Sequence, residues 1–161
     1  MLIRTKAFGE INITPEEIID FPEGLLGFEE YKKFVILVKE GEGPFKWLQA
    51  IDEEKLAFIL IDPLDFRPGY TLDIAPADLS FLKAESVKGL LCFGIVVVPE
   101  DPMQMTANLQ GPVVINPEKK IARQCISLNQ SYKTRHFILE EMKQLPQAKE
   151  DAGKTAGGGK K

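Results

Sequence analysis

His136 is the single histidine of the chain, so any Ser-His-Asp triad would have to be built on it. No Gly-x-Ser-x-Gly elbow accompanies it. Flanked by Arg135 and Phe137, it reads as a solvated or capping imidazole. Cys92 and Cys125 could form a disulfide, a redox pair or part of a metal site. Each lies inside an apolar run, Leu90-Leu91-Cys92-Phe93 and Gln124-Cys125-Ile126, and so reads as a small buried side chain in a reducing compartment. A metal centre needs several ligands in a cluster; the chain is expected to hold no metal and no cofactor. Asp62, Asp65 and Asp73 could work as acid and base if a cleft shifted one of them, but Asp62-Pro63 and Asp65-Phe66 carry turn chemistry instead.

Two further motifs fail on context. Ala148-Lys149-Glu150-Asp151-Ala152-Gly153-Lys154-Thr155 fits a relaxed phosphate-loop pattern. That device needs a strand before it and a helix after it, whose first N–H groups hold the phosphate. Pro146 precedes the motif and only Ala156-Gly157-Gly158-Gly159-Lys160-Lys161 follow. Asn129-Gln130-Ser131 is a glycosylation sequon that matters only after secretion. Enzymatic activity is therefore not expected.

The elements that must position these residues are mostly strands. Expected strands are Ile3–Phe8, Ile11–Ile13, Phe34–Val38, Trp47–Ala50, Ala57–Ile61, Thr71–Ile74, Leu90–Val98, Met105–Leu109, Val113–Ile115 and Ile121–Leu128. The two runs around Trp47 and Phe58, joined by Asp52-Glu53-Glu54-Lys55, read as a hairpin. Asn116-Pro117-Glu118-Lys119 reads as a second hairpin loop. Ile95-Val96-Val97-Val98, apolar on both faces, reads as a central strand. A helix is expected in Ala75–Ala84, with Pro76 in its first turn. A single capped turn is expected at Thr14-Pro15-Glu16-Glu17, and a further helical stretch within Arg135–Leu145. Many short strands with one or two short helices predict a mainly β protein, a small antiparallel β-barrel-like domain. The domain is expected to span residues 1–146, with 147–161 a disordered Gly/Lys-rich tail.

Composition excludes other classes. The chain has 161 residues, 44% hydrophobic and 27% charged, as expected of one soluble domain. Of the net charge of −4, the last 14 residues contribute +2 and leave −6 on the body. A body of that sign repels phosphate backbones, so direct nucleic-acid binding is not expected, and the charge suits a basic protein partner. The N-terminus Met1-Leu2-Ile3-Arg4-Thr5-Lys6 lacks the apolar core of a signal peptide. The longest apolar run, Leu90 to Val98, is about half a bilayer span. A cytoplasmic protein without membrane attachment is expected. What is left is a binding module, with Phe28 and Phe45 in loops as candidate anchors or as plugs for the barrel ends.

Four segments carry a family resemblance. Phe21-Pro22-Glu23-Gly24-Leu25-Leu26-Gly27-Phe28-Glu29, Pro44-Phe45-Lys46-Trp47-Leu48-Gln49-Ala50, Asn108-Leu109-Gln110-Gly111-Pro112-Val113-Val114-Ile115-Asn116, and Gln124 with Tyr132 and Arg135, occur in this order. Together they resemble the flagellar assembly factor FliW family over residues 1 to about 136, with His136–Lys161 beyond the expected family boundary. The resemblance implies a non-catalytic barrel that binds flagellin and, in exchange, the translational regulator CsrA, which it antagonises. Flagellin synthesis is thereby coupled to export. The contact positions expected on this basis are Glu23, Phe28, Phe45, Trp47 and Asn108, the carboxylate facing a basic partner and the aromatics anchoring. A monomer is expected, because a closed barrel has no free edge. The alternatives are a nucleic-acid-binding barrel, which requires a basic stripe, and a small enzyme using Asp62, Asp65 or His136 in a polar pocket.

Overall fold

The computed structural model describes residues 1–41 and 43–145. Ten strands run in chain order: β1 (Leu2–Thr5), β2 (Gly9–Asn12), β3 (Ile19–Asp20), β4 (Lys33–Leu37), β5 (Lys46–Ala50), β6 (Ala57–Ile61), β7 (Leu91–Val97), β8 (Thr106–Asn116), β9 (Ile121–Gln124) and β10 (His136–Phe137). Two short helices, α1 (Pro76–Phe81) and α2 (Ile138–Lys143), complete the described fold. Strands β8, β7, β6, β5, β4, β3 and β9 are neighbours in that order, and β9 returns to β8. The result is a closed seven-stranded barrel. Strand β10 lies outside it, paired to the start of β8, and β1–β2 form a separate two-stranded ribbon.

Alternation along each strand sends one set of side chains inward. Phe34, Leu48, Leu60, Phe93, Val113 and Ile115 fill the interior with Phe21 and Leu25 from the segment after β3. Phe21 and Phe34 meet edge to face at 5.0 Å, a geometry aromatic pairs favour. The outward set is covered piece by piece. The β1–β2 ribbon packs Ile3 and Ile13 on Val35. Phe66, Tyr70, Tyr132 and Ile138 cover Ile61, Val96 and Leu109. Leu82 with Leu79 and Phe81 of α1 covers Val114 and Cys125.

The expected hairpin is formed, with Trp47 opposite Ile59 and Leu48 opposite Phe58. Its connection is organised from inside by Gln49, which is 1% exposed. The Gln49 Nε2 donors face the carbonyls of Ala50, Glu53, Glu54 and Leu56 at 3.1–3.2 Å. The second hairpin forms around Asn116, whose Oδ1 accepts from Glu118 and Lys119 N–H while its Nδ2 donates to Leu82 O at 2.8 Å. The Thr14 turn is a 3₁₀ turn, Pro15–Glu17, with Glu17 returning to the Thr14 N–H at 2.8 Å.

Four expectations require correction. Thr71–Ile74 is not a strand: the Thr71 N–H goes to the Tyr132 hydroxyl and the Asp73 carbonyl accepts from Leu128, so these groups are bonded outside any ladder. Met105–Leu109 and Val113–Ile115 are one strand, β8. The pairing to β7 shifts between Phe93 and Ile95, and Asn108 Oδ1 bridges the irregularity by accepting from the N–H groups of Gln110 (3.0 Å) and Gly111 (2.8 Å). Gly94 makes the shift possible, since a Cβ there would stand 3.1 Å from Asn108 O. The end of the central strand β7 is uncovered, with Val97 exposed. His136 is buried, not solvated. The expected phosphate-loop decoy and the 147–161 tail lie outside the described residues.

Candidate functional site

The barrel closes at a thin seam. Strand β3 meets β9 at one residue pair, Asp20 with Ile121, in parallel, and the Asp20 N–H reaches Lys120 O at 2.9 Å. Side chains do the rest. Arg123 holds Glu23 with Nε 3.0 Å from Oε1 and Nη2 3.4 Å from Oε2. The same guanidinium reaches Asp78 Oδ1 at 3.3 Å and lies 4.3 Å over the Phe81 ring. Gln124 accepts from the Leu26 N–H with Oε1 (3.1 Å) and donates to Gly111 O with Nε2 (3.0 Å). The strap 22–29 is thereby tied to β8 and β9. Gly24 turns it at φ +66°, where a Cβ would come within 2.6 Å of Glu29 Cα, a position only glycine fills without displacing backbone.

A groove of 380 Å³ runs along this seam, lined by Glu23, Leu26, Glu29, Asn108, Gln124 and Ile126 among others. Leu26 stands at its rim 82% exposed and Ile126 67% exposed. The Gly27 and Glu29 backbone N–H groups hold the Glu29 carboxyl below the usual range, so that end of the groove is anionic at neutral pH. The arrangement offers apolar contacts beside carboxylates, a surface chemistry that recognises protein.

The expected contact residues divide into two groups. Glu23 and Asn108, 85 positions apart in sequence, face the same groove. Phe28 lies on the strap beside it, packed edge to face on Phe58 at 5.1 Å and 37% exposed; it covers the barrel mouth and still presents an edge outward. Phe45 and Trp47 are elsewhere. Phe45 packs half-buried against the Phe66–Tyr70–Tyr132 cluster. Trp47 meets Phe8 edge to face at 6.0 Å, its Nε1 buried without a partner. Leu26, Arg123, Gln124 and Ile126 were not among the expected contact positions, although Leu26 and Gln124 lie in the segments that carry the resemblance. An exposed leucine and isoleucine there look like any apolar loop residue, and only the closure of the barrel brings them together.

The chemical alternatives meet their geometry. Lys133 N–H donates to His136 Nε2 at 2.8 Å, so Nδ1 carries the proton and donates to Glu141 Oε2 at 2.8 Å. Glu141 Oε1 is 2.9 Å from Arg67 Nη1. Both ring nitrogens are engaged, and the imidazole ties Glu141 of α2 to the main chain at Lys133. Asp62 caps that turn by accepting from Leu64 N–H at 2.9 Å. Burial, then the charge of Asp62, raises the Asp65 carboxyl. Cys92 and Cys125 are free thiols pushed up to about 11 and about 12, chiefly by burial. Among the described residues no group of three or more His, Cys, Asp or Glu side chains is placed to hold a metal ion, and no described helix is long and apolar enough to cross a membrane.

Comparison with known proteins agrees with this architecture. A family model described as FliW protein matches residues 2–138. A flagellar assembly factor FliW from Leptospira interrogans (serovar Lai) is 48% identical over 139 residues, covering 86% of this chain and 93% of its own. One from Caldanaerobacter subterraneus is 47% identical over 144 residues, 89% and 96% of the two chains. One from Alkaliphilus metalliredigens is 38% identical over 161 residues, 99% of each. The similarity thus runs past the boundary expected near residue 136. A crystal structure of the flagellar assembly factor FliW superposes with a TM-score of 0.79 at 36% identity, covering 86% of this chain and 96% of that one.

Proposed function

The chain belongs to the FliW family of flagellar assembly factors, and on that premise we propose that it is a cytoplasmic, monomeric partner-switching protein. It binds flagellin and, in exchange, the translational regulator CsrA, so that flagellin accumulation releases CsrA to repress its message. It needs no cofactor and performs no chemistry; its output is which partner it holds. The observation that supports this best is the seam groove, where Glu23 and Glu29 stand beside the exposed Leu26 and Ile126. An RNA-binding protein such as CsrA is basic where it meets phosphate, and an anionic, apolar-flanked groove complements it.

The reading is tested by charge. Titrating Glu23→Lys with CsrA should weaken binding by about tenfold or more, the size of effect expected for a desolvated interfacial charge. Flagellin affinity and CsrA affinity that both match the unaltered protein would remove Glu23 from the contact surface. Because two partners compete, a factor of ten in relative affinity, about 1.4 kcal/mol, is enough to decide which one is held.

A further inference from the structure

Beyond the barrel mouth, the inward face of the sheet continues and is left open at Val97 and Phe137, on either side of the buried Thr106. Val97, Thr106 and Phe137 stand opposite one another across β7, β8 and β10, and Ile95 stands opposite Asn108 in the next row. These positions share the inward alternation of Phe93 and Val113, yet Val97 is 62% exposed and Phe137 43% exposed. They floor a second groove, 470 Å³ in volume, which Arg135 also lines.

Its charge is the reverse of the seam groove. No carboxylate lines it. Of the four arginines, Arg4, Arg67 and Arg123 are each in an ion pair with a carboxylate; Arg135 has none among the described residues. An exposed guanidinium over an apolar floor, on a body that is otherwise anionic, is a receptor for a carboxylate carried by an apolar segment. The two grooves are contiguous, since Asn108 and Thr134 line both.

Resting on the partner-switching reading above, we infer that this shelf seats an apolar protein segment bearing a carboxylate next to Arg135, and that its footprint overlaps the seam groove at Asn108 and Thr134. The basic partner takes the carboxylates of the seam, and the carboxylate-bearing segment belongs to the other partner. Exclusion between the partners is then steric: each covers Asn108 and Thr134, and no change of fold is required to transmit the message.

The test titrates the full chain and four variants, Arg135→Glu, Arg135→Gln, Val97→Asp and Val38→Asp, with flagellin, while scanning calorimetry reports whether each variant is folded. Val38 is exposed but outside the shelf and serves as the control. The expected result is a loss of about tenfold or more for Arg135→Glu and Val97→Asp, a smaller loss for Arg135→Gln and none for Val38→Asp. Flagellin bound equally by the unaltered protein and the folded shelf variants would overturn the shelf and leave the partner reading standing. Failure of the unaltered protein to bind flagellin would overturn both. Self-association abolished by Arg135→Glu would overturn it in favour of a second copy of this chain on the shelf.

Discussion

Arg123 and Glu23, one hundred residues apart in sequence, meet at 3.0 Å across the seam where β3 and β9 close the barrel through one residue pair. The pair does at the seam what ladder bonds do elsewhere. It also ties function to fold, because Glu23 is at once a seam residue and a lining residue of the anionic groove.

The two partners of this pair should not be equivalent. Glu23 is more than half exposed, so Glu23→Gln should cost less than about 1 kcal/mol. Arg123→Ala removes the Glu23 contact, takes the cation from the mostly buried Asp78, which still accepts from the Ala75 N–H, and uncovers the Phe81 ring, and should cost about 1–3 kcal/mol. Urea denaturation of both variants checks the order; equal losses would mean that Asp78 and Phe81 draw nothing from the guanidinium.

Gln49 should be worth more than its surface counterparts. Its amide faces four carbonyls in a site closed to water. Gln49→Leu takes the side-chain donor from the Ala50 carbonyl, while those of Glu53, Glu54 and Leu56 keep main-chain donors, and should cost about 1–3 kcal/mol; Gln49→Glu adds a carboxylate among carbonyls and should be worse. Thermal unfolding of the two variants measures this, with Glu below Leu below the unaltered protein.

The cysteines should be silent in the native state. With their thiols pushed up to about 11 and about 12, almost no thiolate exists at pH 8, and thiolate is the reactive form. A thiol-disulfide reagent should react only as fast as the chain opens, and should titrate two thiols once it is unfolded. The folded state holds these protons more tightly than the unfolded chain, whose thiols titrate near about 8.5. Their contribution to stability is therefore complete below that pH and is lost as pH rises toward the folded values. Cys125→Ala should flatten the alkaline limb of the stability profile.

Much of this molecule was legible in its residues, and the exceptions are instructive. The strands around Phe34, Trp47, Phe58 and Phe93 were read because burial imposes a pattern on five or more consecutive residues. Strands β3 and β10, each of two residues, are too short to carry one. Gly111-Pro112 reads as a break because the stitching is done by Asn108, three residues earlier. The candidate site divides in the same way. Glu23 and Asn108 share the seam groove, whereas Phe45 and Trp47 pack on the outer face of the barrel. Arg135 belonged to a recognised signature, but that no carboxylate among the described residues pairs with it is a property of the closed fold.

Asp65 offers a check on the turn it helps to build. Burial and the charge of Asp62 raise its carboxyl, so the folded state favours the protonated form and stability falls as pH rises through the carboxylate range. Asp65→Asn should be slightly more stable than the unaltered protein at pH 7, by a few tenths of a kcal/mol at this exposed position, and indistinguishable from it at pH 3. Chemical denaturation at the two pH values separates this from a loss of packing, which would lower stability at both.

The central claim is an exchange of partners on one surface. Calorimetric titration of this protein with CsrA from the same organism, repeated with flagellin present in excess, tests it most directly. Binding of CsrA that flagellin abolishes is the predicted result. Binding of both together, or of neither, would contradict it.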